Sequence, residues 1–489
     1  MGGTGGLAAA RAGEGTRGRR ALGGAPLVAA LAERAAASPL RLCVPGHGGG
    51  GYAPSALRRA LERYGVWALD WTEVPGLDDL AWPHGPIRDA EARLAEAFGA
   101  DGAAILVGGS TAGILAAVLA LARGGRVALG ATQHRSVYAA LALAGARPVF
   151  LPEVADPETG YSLGLTEAAA AIVERERPAL VVVAHPTYQG VAATPPALWE
   201  AARRTGAAVL ADAAHGAHFG ADPRLPPPAL AAGADVAVLG LHKSLGALTQ
   251  TAALVWRKGM PEERLRAMLR LIQSSSPSYL LLASADSASA AWAADGARRW
   301  ARAVDHALEA AAWLGDEAWT PAVARDPTKL LWLRPAAGAG DLLAVLRAAG
   351  VEAEYADGRA VLFCLGPHVG RRGVERLRRA VRAVRSALPA ARSARPVPAA
   401  SPPAPPDMDM LAALAAPGER VPLAAAVGRV AGDFLVPYPP GIPRVLPGRR
   451  LSAEDVAAVA ADLGLGREVQ GVTPDATIKV LRPERGAGP

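Results

Sequence analysis

Between residues 39 and 260 the chain carries a series of short, nearly unbroken apolar runs. They fall at 104–107, 126–129, 180–184, 207–211, 236–239 and 252–256, with Ala/Leu-rich helical stretches between them. Runs without polar alternation leave no face for water, so such strands must be covered on both sides. Helices alternating with strands supply that cover, and the expected result is an α/β fold around a mostly parallel sheet. Ligands of such sheets bind beyond the carboxyl ends of the strands. Chemistry-bearing residues are therefore sought just after each run.

The remaining chain divides by composition. Residues 1–38 are a Gly/Ala/Arg-rich N-terminal arm, 39–310 form the large domain, and 311–393 a smaller α+β domain with strands near 330–333 and 360–365. A Pro/Ala-rich linker follows at 394–406, and 407–489 form a C-terminal unit. With 51% hydrophobic residues in 489, the chain can bury several cores and is far from the profile of disorder. The formal net charge is +7, but only four basic residues are lysines: Lys243, Lys258, Lys329 and Lys479. No dense basic run is interleaved with aromatics, so no nucleic-acid partner is expected. Two cysteines, Cys43 and Cys364, cannot build a disulfide framework or a four-thiolate zinc site.

Two apolar stretches need a reading. The run 26–31 is cut by Glu33 and Arg34, too short for a secretory signal. Residues 103–122 carry no charge and could span a bilayer by length, but Gly108-Gly109-Ser110-Thr111 interrupts them. A strand, a turn and a buried helix over 114–122 fit better. The expectation is a cytoplasmic protein without a membrane partner.

Four candidates follow strand ends. Gly109, Ser110 and Thr111 sit where a strand meets a helix; glycine permits close backbone approach, Ser110 or Thr111 can cap the helix, and free N–H groups there attract phosphate. An ordinary capped turn is the plainer alternative. Asp212 closes the run 207–211, where an unpaired carboxylate would be costly, and so calls for a cation: a metal or a protonated ring nitrogen. His215 and His218 make a metal conceivable, but no further carboxylate stands at ligand spacing, and no metal is expected. Lys243 follows 236–239 beside His242. Of the four lysines it alone lies at a strand end, Lys258 falling in a charged turn, Lys329 in a Pro-rich turn and Lys479 in a late strand-like stretch. His134 follows 126–129, as a stacking ring or a structural histidine. Together an anion cradle, a carboxylate, an amine and a ring meet the needs of pyridoxal 5′-phosphate (PLP).

The chain resembles the Orn/Lys/Arg decarboxylases in its short form. The resemblance rests on Pro45-Gly46-His47, on the segment from Thr72 to Leu80, and on Gly109-Ser110-Thr111-Ala112-Gly113 and His134-Arg135-Ser136-Val137. Pro186-Thr187-Tyr188, Ala214-His215-Gly216-Ala217-His218, His242-Lys243, Leu248-Thr249-Gln250, the segment from Ser276 to Leu280, and Pro437 to Gly441 add to it. It implies a fold-type-I PLP-dependent transferase-like large domain with smaller α+β C-terminal domains, in a homodimer or higher homo-oligomer. The implied activity is decarboxylation of arginine, lysine or ornithine to the amine and CO2, within polyamine metabolism. Lys243 would hold PLP, Asp212 would pair with its ring nitrogen, and His134 would stack on the ring and help return a proton. Gly109, Ser110, Thr111, His215 and His242 would complete the cofactor site, with Ser276 and Arg449 at the substrate.

The chain departs from the family at Gly48, where a lysine is common, at Ala213, at Gly240 and Leu241, and at Arg449, where an acidic residue is common. Arg449 would repel a basic substrate and suit a distal carboxylate. Glu73, Asp78 or Asp79 would then recognise a basic substrate if Arg449 faces solvent. A transaminase or lyase acting on a neutral or acidic amino acid, or a catalytically degenerate binding or regulatory protein, are the alternatives.

Overall fold

A computed structural model describes residues 26–334, 339–388 and 402–482. Residues 1–25 of the N-terminal arm and 394–401 of the linker lie outside the described residues.

The central sheet has seven strands: β1 (Gly102–Leu106), β2 (Arg126–Leu129), β3 (Arg147–Phe150), β4 (Leu180–Ala184), β5 (Ala208–Ala213), β6 (Val236–Leu239) and β7 (Ala252–Trp256). Their order is β1-β7-β6-β5-β4-β2-β3, with β7 antiparallel to both its neighbours and the other pairings parallel. Side chains alternate between two apolar layers, as the strand period requires. Val209, Ala211, Ala237, Leu239, Ala253 and Val255 enter one layer. Leu210, Val236, Val238, Ala252 and Leu254 enter the other.

Helix α1 (Gly109–Ala122) lies in the second layer. Gly113 lets it approach, since a Cβ there would come within 2.7 Å of Leu106 Cδ1 and 3.1 Å of Val238 Cγ2. The apolar stretch 103–122 is thus a strand, a turn and a buried helix. No described helix is long and apolar enough to cross a membrane.

Two strand-level expectations change. β3 was not foreseen, because it opens on an exposed arginine and a proline and lies at the sheet edge, where a missing N–H is tolerated. β5 extends through Asp212, which pairs in register with Ala184 and Val238 and so lies inside the strand end rather than past it.

The 36-residue helix α2 (Tyr279–Leu314) joins two cores. Leu282, Ala285 and Ala288 belong to the large-domain core, whereas Ala307, Ala310 and Leu314 belong to the next one. That second core includes one face of an antiparallel sheet made by Lys329–Leu333, Ala360–Cys364 and Tyr355–Ala356. Leu40–Leu42 pairs in parallel with Val351–Ala353, tying the chain's beginning to this unit. A third core holds the C-terminal segment, where Gly418–Pro422 pairs with Thr477–Leu481 and Val436–Tyr438 with Glu468–Gln470.

Trp332 is fully buried in the second core, and its indole N–H donates to Glu317 Oε2 at 2.6 Å. Trp332→Ala is expected to remove about 3–5 kcal/mol of stability, measured as a lowered urea midpoint.

Candidate functional site

The site lies at the carboxyl edge of the sheet. β1 leads into α1, which begins at Gly109 rather than at residue 114. Gly109 has φ +71°, a backbone that glycine adopts without strain, and its N–H donates to Gln250 O at 2.9 Å. Neither Ser110 nor Thr111 caps the helix; Gly108 stands at the N-cap and makes no side-chain cap. The Ser110 hydroxyl is buried without a hydrogen-bond partner, and Thr111 is exposed. A helix N-terminus with unused first-turn N–H groups and an orphan hydroxyl is a cradle for an anion.

Asp212 and Lys243 follow on neighbouring strands β5 and β6. The Asp212 carboxylate accepts one N–H, from Ala214 at 3.2 Å. Lys243 Nζ is 3.1 Å from His215 Nε2, and Lys329 Nζ is 2.7 Å from His215 Nδ1. Burial pushes the Lys243 amine below its ordinary pKa; Asp212 opposes this and Lys329 reinforces it. Burial also pushes His215 well below the usual histidine range, helped by both lysines, so the ring is neutral.

Lys329 is a correction to the sequence reading. It opens the strand Lys329–Leu333, buried, instead of lying in a Pro-rich turn. Around it stand Tyr188, whose ring centroid is 5.2 Å from Lys329 Nζ, and Glu354, which accepts from the Tyr188 hydroxyl at 2.7 Å. The aromatic–carboxylate pair was not foreseen either. Only Tyr188, inside a quoted motif, carried a signal.

His134 caps the helix Arg135–Ala144. Its Nδ1 accepts from the Ser136 N–H at 3.2 Å and lies 2.8 Å from the Ser136 hydroxyl, which places the proton of the neutral ring on Nε2. Burial lowers its pKa to about 4, with Asp212 opposing and Lys243 adding to the shift. Gly441 of the C-terminal unit lies beside the ring: its carbonyl accepts the Arg135 N–H at 2.8 Å, and a Cβ there would lie 3.0 Å from His134 Cδ2. His242 Nδ1 is 2.8 Å from Thr251 O, and burial lowers this histidine too, to about 4.

Other candidates stand apart from this group. Ser276 is exposed, with its hydroxyl 3.5 Å from that of Ser274. Arg449 pairs with Asp455 at 3.4 Å and Asp407 at 3.6 Å within the C-terminal unit. Asp78 accepts N–H groups from Asp79, His84, Gly85, Ile87 and Arg88, so its carboxylate is committed to the loop. Glu73 is exposed and accepts from the Thr72 hydroxyl, and Asp79 accepts from the Ala81 N–H. His218 turns away from His215 to Asp326, 3.0 Å distant, and stacks on Trp300.

The departures have local causes. At Gly48, φ is +56° and a Cβ would fall 2.2 Å from the His368 ring, which fills the space a longer residue would take. At Gly240, a Cβ would meet Ala214 O at 2.3 Å, so a hydroxyl residue does not fit there. Ala213 is buried in the first apolar layer.

Residues 25–328 match the family described as Orn/Lys/Arg decarboxylase, major domain, and residues 399–461 match Orn/Lys/Arg decarboxylase, C-terminal domain. An arginine decarboxylase of Bacillus subtilis (strain 168) is 31% identical over 480 residues, covering 94% of this chain and 97% of the relative. One of Halalkalibacterium halodurans is 30% identical over 477 residues, covering 94% and 97%. In fold, the chain is similar to the constitutive lysine decarboxylase of E. coli, with a TM-score of 0.71 at 20% identity, covering 90% of this chain and 79% of that one. Serine palmitoyltransferase of Sphingomonas wittichii shares the large-domain fold more distantly, with a TM-score of 0.55 at 18% identity over 71% of this chain and 88% of that one. Matches over both segments and almost the full length of the relatives show that the chain belongs to the Orn/Lys/Arg decarboxylase family of enzymes.

Proposed function

We propose that the enzyme binds PLP at the sheet edge and decarboxylates a basic amino acid, arginine first among the candidates, to the amine and CO2. One observation carries the reading: a lysine amine with a depressed pKa stands next to a strand-end carboxylate, on the same sheet edge as an unpartnered serine hydroxyl at a helix N-terminus. The donor set fits PLP. Ser110, Thr111 and the first turn of α1 suit the phosphate, Asp212 with its single N–H bond has room for a ring N–H, and Lys243 offers the amine. Arginine is favoured because the similar curated proteins from Bacillus subtilis and Halalkalibacterium halodurans carry that name.

When bound, PLP supplies an electron sink for the pair left as a carboxylate departs as CO2. Asp212 would hold the ring N–H and so keep that nitrogen protonated, which would strengthen that sink. His134 is held by Ser136 on one nitrogen and by Gly441 against its edge, and it presents an Nε2–H. The α-carbon would lose CO2 and gain one proton, so a positioned proton route is needed; His134 can relay one, giving its Nε2 proton while Nδ1 takes up a replacement from the side of Ser136 and solvent.

Arg449 was the reason to consider an acidic substrate. Two carboxylates of its own chain already neutralise it, which removes that reason. Its proposed place at the substrate gives way to a structural one.

Three outcomes test this reading. Borohydride reduction of the holoenzyme is expected to place the pyridoxyl label on Lys243 and no other lysine, by peptide mass spectrometry, and Lys243→Ala to abolish both label and turnover with the fold intact. Arg449→Glu is expected to leave the ranking of arginine, lysine and ornithine in kcat/KM unchanged while costing ~1 kcal/mol or more of stability, because three carboxylates would then meet. Acid is expected to destabilise the apoprotein. Folded His134 and His242 titrate near 4 against about 6.5 when unfolded, so their contribution is full above about 6.5 and lost as the pH falls through 4. Unfolding at pH 5 should therefore take up protons, read from the slope of stability against pH.

A further inference from the structure

One buried amine, Lys329, has no part in the proposed reaction. Lys329 Nζ stands 2.7 Å from His215 Nδ1, and the opposite nitrogen of the same ring, Nε2, is 3.1 Å from Lys243 Nζ. An imidazole held between two amines transmits direction. A neutral ring has one N–H and one lone pair, so if one lysine donates into it, the far nitrogen must donate to the other lysine. A cationic Lys329 donating to Nδ1 puts the ring proton on Nε2. Only a Lys243 with a free lone pair can accept that proton.

The surroundings decide which lysine keeps the charge. Lys329 lies over the Tyr188 ring, and the Tyr188 hydroxyl binds Glu354, so the ring's face sits against a cation and its far end against a carboxylate. Asp326, which also pairs with His218, is held low in part by Lys329. Cys364 is the strand partner of Lys329, and its thiol is pushed up by burial, so it is neutral. Lys243 faces Asp212, which favours its charge, as Glu354 does more weakly. Burial and Lys329 oppose it. His134 and His242 complete the ring of titratable groups, both neutral at pH 7. The cation therefore rests on Lys329.

We propose that Lys329, acting through His215, is a positioning residue that holds Lys243 as the neutral amine able to receive the cofactor's aldehyde. The proposal rests on the reading of Lys243 as the cofactor lysine. It gives Lys243 a lone pair at neutral pH without a prior loss of its proton to solvent. Removing the charge at residue 329 frees the ring to turn its proton to Nδ1 and accept from a charged Lys243.

The test uses the apoprotein and reads no turnover. Trace acetylation with isotopically labelled acetic anhydride across pH, followed by peptide mass spectrometry, gives the titration midpoint of Lys243 beside that of exposed Lys258 as an internal reference. In the wild type, the Lys243 midpoint is expected below that of Lys258. Lys329→Met is expected to raise the Lys243 midpoint by about one pH unit or more, and Lys329→Arg, which keeps a cationic donor, to hold it near the wild-type value. An unmoved midpoint in Lys329→Met, or an equal rise in Lys329→Arg, overturns the proposal. Borohydride mapping of the wild-type holoenzyme separates the two readings. Label on Lys243 with an unmoved midpoint overturns the inference alone, whereas label on Lys329 overturns the cofactor assignment and the inference with it.

Discussion

Because successive residues of β5, β6 and β7 enter two different apolar layers, polar side chains can leave this sheet only at the strand ends. Asp212 obeys this constraint even while paired within β5, as its carboxylate projects where the strand is about to finish. Lys243, His134 and Ser110 obey it one loop later. Residues far apart in sequence therefore meet without any motif linking them, and the meeting follows from burial on both faces rather than from local conformation. The antiparallel β7 serves the same edge from the other direction. It starts where its neighbours end, so Gln250 and Thr251 present carbonyls to Gly109 and His242 just before the strand begins.

Burial at that edge has an electrostatic consequence. Two lysines and three histidines share it with few carboxylates, and taking charge out of water is costly. The molecule meets this chiefly by neutralising the bases. His134, His215 and His242 all lose proton affinity through burial, and Lys243 loses some as well. Neutral bases arranged around one strand-end carboxylate are suited to moving protons. Each keeps a lone pair or an N–H whose direction its neighbours dictate, as Ser136 does for His134 and Thr251 for His242.

How much of this was legible in the sequence depends on where each signal resides. Six of the seven strands and the groups behind them could be read because a nearly unbroken apolar run of four or five residues, flanked by helical stretches, must be buried on both faces. The edge strand β3 could not, since an exposed arginine and a proline hide it and its identity comes only from pairing with β2. Lys329 was hidden for a related reason. Its own neighbourhood, between a proline and a leucine pair, reads as a turn, and its value arises from a second domain folding back so that a strand end meets His215. Arg449 was legible as an oddity but not as an ion pair, because Asp407 and Asp455 reach it through the chain's path in three dimensions. Asp78 likewise offered a carboxylate whose commitment to five backbone N–H groups no spacing revealed.

The C-terminal unit has its own core and could be taken for an appendage, yet one of its loops reaches the site. Gly441 O accepts the Arg135 N–H at 2.8 Å, and the Gly441 backbone, at φ +86°, lies against the edge of the His134 ring. A side chain there would have to occupy space already held by that ring, and its backbone conformation favours glycine. His134 is thus gripped from two sides, by Ser136 within the large domain and by residue 441 from the C-terminal unit. Arg135 adds a bond from its guanidinium to Gln470 at 2.5 Å, in the strand that pairs with Val436–Tyr438. The orientation of the ring over the sheet edge therefore depends on a unit that has its own core and also sends Met410 and Leu446 into the second apolar layer of the large domain. Without this unit the strand-end carboxylate and amine would keep their places, but the histidine that accompanies them would be held by Ser136 alone.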